Sequence, residues 1–152
     1  MQIQPGQGIS GLQFGASEPE ALQFFDATRV TTSDHGDGRS AVSIQEWRET
    51  GEGPGLLFLE GEGLISISLY RGPAFLWDQD LFALPLEQLG AQFRERGHTP
   101  EITGPYADEA DWAFPELGLI LYTSEDEVEQ VEVFAGLWWR GKRLDAPGDR
   151  EK

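Results

Sequence analysis

The sequence predicts an α+β domain in which two tandem strand-helix-strands modules form one antiparallel sheet with helices packed on one face. Three observations carry this expectation. One short pattern is written twice: Gly55-Leu56-Leu57-Phe58-Leu59, an acidic link, then Leu64 to Tyr70; and Gly118-Leu119-Ile120-Leu121-Tyr122, an acidic link, then Val128 to Phe134. Each copy is preceded by a helix signal. Within each copy, apolar and polar residues alternate as they do in a half-buried strand. The repeat period of about 64 residues exceeds that of common solenoid repeats, so it implies two modules and not an array.

The elements follow in chain order. Met1 to Gln13 carries Pro5, Gly6, Gly8 and Gly11 and reads as an extended lead-in ending in a short strand at Leu12-Gln13-Phe14. Ser17-Glu18-Pro19-Glu20 has the capping-box form, a hydroxyl that accepts from a free N–H and a Glu that reaches back. Pro19 suits that first turn, where its missing N–H had no helical partner. Leu22, Phe24 and Phe25 supply the expected buried face. Thr28 to Ser40 reads as polar, with Asp34-His35-Gly36-Asp37-Gly38 as a turn or hairpin tip. Ala41 to Arg48 alternates loosely and predicts a strand, Gly51 to Gly55 a turn, and 55–60 with 64–71 a hairpin over Gly61-Glu62-Gly63.

The second module starts with a short segment at Leu81 to Leu84. Pro85 opens a helix whose Leu86, Leu89 and Phe93 share one face. Arg94 and Arg96 suit the carbonyl end of the helix dipole, and Gly97 ends it. His98 to Glu109 reads as a loop and Asp111 to Phe114 as a strand. Strands at 118–123 and 127–135 follow, joined by a turn within Thr123 to Glu127, and a last strand or extended piece runs from Leu137 to Leu144. Residues 1–145 are thus one domain with a pseudo-repeat at about 9–71 and 80–135, and 146–152 form a disordered tail.

Alternation sets the faces. Ile65, Ile67, Leu69, Val131 and Val133 are expected beneath the helices. Ser66, Ser68, Tyr70, Gln130, Glu132 and Phe134 are expected on a second face of mixed polar and aromatic character, open to solvent or a partner.

Composition limits function. A chain of 152 residues with 39% apolar content, 9 Phe and 5 Trp can bury a core without staples. It has 0 Cys, which excludes disulfides, thiolate metal sites and a Cys nucleophile, and fits the cytoplasm. No apolar stretch follows Met1, so the sequence as given shows no signal peptide. No segment approaches the length of a membrane span. Asp and Glu total 27 against 11 Lys and Arg, a net charge of −16. Arg140, Lys142, Arg143, Arg150 and Lys152 lie together at the C-terminal end, which leaves the rest of the chain still more acidic. Such a surface repels phosphates and anionic headgroups, so nucleic acid and membrane are poor partners. It attracts a basic protein.

No catalytic signature accompanies the repeat. His35 and His98 are the 2 histidines and lie in no metal-ligand spacing. A GxSxG elbow is missing. Gly51-Glu52-Gly53-Pro54-Gly55 carries an acid and no Lys, the wrong sign for a phosphate cradle. Asp34 to Gly38 lacks the order and final Glu of a calcium loop. No cofactor is implied, and among so many carboxylates no glycosidase pair stands out.

Two clusters remain. The acidic one comprises Asp108, Glu109 and Asp111, then Glu125, Asp126, Glu127, Glu129 and Glu132. It is either a docking surface for a basic protein or a solvated hairpin. The other is Leu137-Trp138-Trp139-Arg140-Gly141-Lys142-Arg143. Adjacent Trp138 and Trp139 cannot both point inward on a strand, so one packs on the core and the other is exposed or covers an edge. Trp and Arg favour binding hot spots, so this edge is either a contact, homodimeric included, or an edge strand with solvated flanks.

Pro5-Gly6, Gly8-Ile9 and Gly11-Leu12-Gln13-Phe14-Gly15-Ala16-Ser17, leading into an acidic helix start and followed by the two hairpins, resemble a recurrent bacterial pattern. It is similar to small α+β proteins of the beta-lactamase-inhibitor-like type and to bacterial immunity-like proteins. The motifs that carry the resemblance are turn glycines, caps and apolar alternation. The second module departs from it, with Phe82 or Leu84 where the first has Gly15. The resemblance implies binding, by inhibition of a toxin or enzyme or by assembly, and transfers no catalytic residue. The expectation is a non-enzymatic protein-binding module, an acidic inhibitor- or immunity-type protein on a basic partner. A self-associating scaffold is the alternative. The contact residues expected are Asp108, Glu109, Asp111, Glu125, Asp126, Glu132, Tyr70, Phe134, Trp138 and Trp139.

Overall fold

The structure, a computed structural model, describes residues 2–23, 29–34, 40–48, 51–70, 72–106, 109–135, 138–139 and 142–143. The first elements are β1 (Ile3–Gln4), β2 (Gly8–Ile9), β3 (Leu12–Gln13) and α1 (Glu18–Ala21). Then come β4 (Arg29–Asp34), β5 (Ser40–Arg48), β6 (Gly51–Leu59) and β7 (Gly63–Leu69), and the short pair β8 (Phe75–Leu76) and β9 (Gln79–Asp80). The second half holds α2 (Leu86–Glu95), β10 (Glu101–Tyr106), β11 (Glu109–Phe114), a 3-10 turn (Pro115–Leu117), β12 (Leu119–Ser124) and β13 (Glu127–Phe134). A small hairpin, β14 (Trp138–Trp139) with β15 (Lys142–Arg143), comes last.

The main sheet is 8-stranded, in the order β10-β11-β12-β13-β7-β6-β5-β4. It consists of two antiparallel meanders that meet through their last strands. At the junction Ile67 lies opposite Val133, Ser68 opposite Glu132 and Leu69 opposite Val131. Both hairpins beside the junction carry a β-bulge. Leu57 pairs with Ser66 and Phe58 with Leu64, which makes Ile65 the extra residue. Tyr122 pairs with Gln130 and Thr123 with Val128, which makes Glu129 the extra one. Ile65 stands as far before Ser68 as Glu129 stands before Glu132. A bulge turns the strand and shifts its alternation by one residue.

The fold class differs from the sequence expectation. The chain is mostly β, not an α+β layer with packed helices. The capping-box helix is only Glu18–Ala21, closed at its start by Ser17, whose Oγ accepts from Glu20 N at 3.4 Å. Its C-cap residue, Leu22, is 41% exposed instead of buried, and Phe24 and Phe25 lie outside the described residues. The segments read as polar or loop at Arg29–Asp34 and Glu101–Tyr106 are the two outermost strands, and Gly51–Gly55 continues β6 instead of turning. Glu101, Ile102, Thr103 and Gly104 are all exposed, so no buried face imposes alternation there. The predicted disordered tail, 146–152, lies outside the described residues.

α2 matches its sequence signals: Leu86, Leu89 and Phe93 are buried, Gly90 among them, and Gly97 follows with φ of 82°. Only glycine takes that conformation without strain. At Gly90 the helix lies directly on Trp112 of β11, since a Cβ there would stand 3.4 Å from Trp112 Cζ3. Phe93 stacks on Phe114 with ring centroids 4.0 Å apart.

The main core lies on one sheet face. Ile44, Leu56, Phe58, Ile67, Leu69, Leu119, Leu121, Val131 and Val133 pack there. They meet Ile3, Ile9 and Leu12 of the N-terminal strands, Ala21 of α1, Leu76 and Leu81 of the segment around β8 and β9, and α2. The covering layer is therefore mostly short strands and turns. Asp80 secures part of it, its Oδ1 accepting from Ala74 N at 3.2 Å and Phe82 N at 3.1 Å. The N-terminal segment is tied to the sheet by Gly15 N donating to Leu64 O and Leu64 N to Ala16 O, both at 2.9 Å.

Candidate functional site

The second face holds some of the side chains singled out from the sequence. It carries two small apolar clusters, Ala113 with Ile120 and Phe134, and Ala41 with Leu59 and Ile65. Ile65 was expected beneath the helices, and the bulge places it here. Phe134 was expected on an open face, yet it is 3% exposed.

Glu132 lies at the sheet's central pair, opposite Ser68 on one side and Ile120 on the other. Tyr122 Oη donates to Glu132 Oε1 at 2.7 Å, and Ser66 Oγ donates to Glu132 Oε2 at 3.0 Å. Both carboxylate oxygens are thus engaged from two different strands. Charge-assisted bonds of this kind exceed neutral ones in strength and fix the acceptor's orientation. Ser66 is itself buried, so its hydroxyl needs this acceptor. Asp111 lies opposite Tyr122, which lies opposite Gln130, so the three form a half-buried polar row beside Glu132. Tyr70, half-buried, follows the end of β7.

Glu125 and Asp126 form the two-residue turn between β12 and β13. Their φ angles are 51° and 65°. Positive φ at both central positions defines a type I′ turn, whose twist matches the flanking strands. Both residues are exposed, as are Glu127 and the bulged Glu129. The turn is anchored behind by Thr123, which accepts from Ala110 N at 3.1 Å and donates to Ala110 O at 2.9 Å.

The expected contact residues therefore divide. Asp111 and Glu132 belong to the second face, Glu125 and Asp126 to the adjoining turn, and Tyr70 lies just beyond the end of β7. Phe134 is on that face but buried. Asp108 lies outside the described residues. Glu109 is in β11 and Trp138 and Trp139 form β14, with side chains outside the described set. Sequence reasoning did not select Tyr122 and Ser66, although both hold Glu132. Tyr122 ends the first strand of the second repeat copy, but its partner follows only from a register that includes the bulge.

His98 is elsewhere. Its Nδ1 lies 3.0 Å from Glu116 Oε1, and its ring stacks on Trp77 at 5.8 Å. Arg96 sits over the same indole at 4.6 Å. This cluster fastens the end of α2 to the turn between β8 and β9. Among the described residues, no three His, Cys, Asp or Glu side chains are placed to hold a metal ion. No helix among them is long and apolar enough to cross a membrane. The chain matches no family model, no curated protein and no solved structure.

Proposed function

We propose that this chain is a non-enzymatic binding module, an acidic protein of inhibitor or immunity type that docks on a basic protein partner in the cytoplasm. The observation that supports it most is the junction of an exposed acidic turn with a pre-organised polar face. Glu125, Asp126, Glu127 and Glu129 project beside the row of Asp111, Tyr122 and Gln130, and Glu132 is already oriented by Tyr122 and Ser66. A net charge of −16 accelerates encounter with a basic partner, and a rigid hydrogen-bonded face loses little entropy on binding. The resemblance to inhibitor-like and immunity-like proteins favours the same reading.

The test is a pull-down from lysate at low and high salt, with wild type and with Glu125→Lys/Asp126→Lys. A basic protein retained at low salt, released at high salt and lost with the reversed turn is the expected result. Retention with the reversed turn and unchanged salt dependence overturns the docking surface.

One observation favours the alternative, a self-associating scaffold. Ile102 is 56% exposed on β10, an outermost strand of the sheet. Exposed apolar edge strands pair with other chains. A solution mass of twice the monomer, returned to the monomer by Ile102→Lys, supports that reading.

A further inference from the structure

A pocket of about 340 Å³ opens at the end of the sheet where β6 turns into β7. It lies on the main-core face, beside the single helical turn of α1. That turn buries only Ala21, and the described sheet residues beside it, Val42 and Phe58, form part of the pocket lining. Ser17, Glu18 and Glu60 add polar groups, and Gly61 closes the turn without a side chain. Glu60 is held in place because its Oε2 accepts from Ser40 N at 2.9 Å. Glu18 stands in the first turn of α1 and is exposed. Among the described lining residues none is a cation.

An apolar wall with carboxylates at its edge suits one class of occupant. Arginine and lysine carry a long apolar stem and a charged head, and they bury the stem along apolar surface while the head meets an acceptor. Arginine fits carboxylates better, through its planar fork of donors. The volume is at the small end of ligand sites, enough for one side chain and too small for a folded element.

We infer that this pocket receives an arginine side chain presented by a basic polypeptide, its stem against Val42 and Phe58 and its guanidinium between Glu18 and Glu60. The site is separate from the proposed docking face. β7 and β13 run antiparallel, so the turn at Gly61 and the turn at Glu125-Asp126 lie at opposite ends of the sheet. The pocket and the docking face can thus succeed or fail independently.

The test is titration of the full chain with N-acetylarginine methylamide, read by amide chemical shifts. N-acetylnorleucine methylamide serves as the uncharged control. Saturable shifts at Gly61 and Glu60 with the arginine compound alone are expected. Glu60→Gln keeps an oxygen for Ser40 N and should weaken binding about fivefold, the worth of one partly exposed ion pair. Glu18→Gln should act similarly, and it serves if Glu60→Gln perturbs the fold. Glu125→Lys/Asp126→Lys should leave the binding unchanged. Shifts that do not saturate, equal shifts with the norleucine compound, or loss of binding in the reversed turn would each overturn the pocket assignment. The first two outcomes leave the docking reading as it stood, whereas the third would place the arginine contact at the acidic turn.

Discussion

Tyr122 Oη donates to Glu132 Oε1 at 2.7 Å although the two residues are not directly paired, since Glu132 lies opposite Ile120 and Tyr122 opposite Gln130. The bond crosses the ladder diagonally, as long side chains on one sheet face can. Tyr122→Phe removes only the donor. It should lower unfolding free energy by about 1 kcal/mol, the net worth of a hydrogen bond to a partly exposed carboxylate. Ser66→Ala removes the other donor, and the double variant should show coupling, because both act on one carboxylate. Urea unfolding reads all three. An additive double variant contradicts a shared network. Glu132→Lys would break the same network, so Glu125 and Asp126 give the cleaner charge reversal for docking.

The turn at Glu125-Asp126 stores strain. Non-glycine residues in the left-handed region cost about 1 kcal/mol each, and both turn residues lie there. Replacing the pair with Asn-Gly should therefore stabilise the chain by about 1 kcal/mol, measured by the urea midpoint. The same variant should weaken partner capture, because it removes two exposed carboxylates. A more stable protein that has lost its partner would separate the turn's role in binding from its role in folding. A destabilised one would contradict the type I′ geometry.

Much of this architecture was legible in residues that repeat or alternate. Leu86, Leu89, Phe93 and Gly97 announced α2, and the two glycine-led hairpins announced the centre of the sheet. The outermost strands were not legible. Arg29–Asp34 is largely polar, and Glu101–Tyr106 contains Gly104 and Pro105. The bulges were equally silent, because Leu64-Ile65-Ser66-Ile67 reads the same with or without an extra residue. Ile65 and Glu132 show the consequence. The face of one and the partners of the other follow from register, and register is a tertiary property. The acidic turn was visible as composition, whereas the groups that hold Glu132 were not.

Gly63 and Gly61 make a matched pair. Both have positive φ, 76° and 83°. A Cβ on Gly63 would stand 2.6 Å from Gly15 O and 2.8 Å from Ala16 O, whereas one on Gly61 meets nothing within 4 Å. Gly61→Ala should therefore cost only the conformational penalty, about 1 kcal/mol. Gly63→Ala should cost about 2 kcal/mol or more, because it also pushes the N-terminal segment off β7. Hydrogen exchange adds a local readout. In Gly63→Ala the amides of Gly15 and Leu64, which bond across this contact, should lose protection, and in Gly61→Ala they should keep it. Equal costs for the two variants would mean that the N-terminal segment does not pack as described.

Gly90 poses the opposite question, because a helix interior ordinarily disfavours glycine. Alanine there would gain about 1 kcal/mol of helix propensity. Its Cβ would meet Arg94 Nη2 at 3.2 Å and Trp112 Cζ3 at 3.4 Å. The guanidinium is the far end of an exposed, flexible side chain and can move aside, and the indole contact is ordinary packing. Gly90→Ala should therefore leave stability unchanged or raise it by up to about 1 kcal/mol. Gly90→Leu differs, because its added carbons must enter the space of the indole. It should cost about 2 kcal/mol as α2 lifts from the sheet. Trp112 reports the change directly, since its Nε1 is buried without an acceptor among the described groups. Lifting α2 should admit water to that N–H and red-shift the Trp112 share of the fluorescence, identified by difference from Trp112→Phe. If Gly90→Leu leaves both stability and emission unchanged, the close helix-to-sheet contact at Gly90 is wrong.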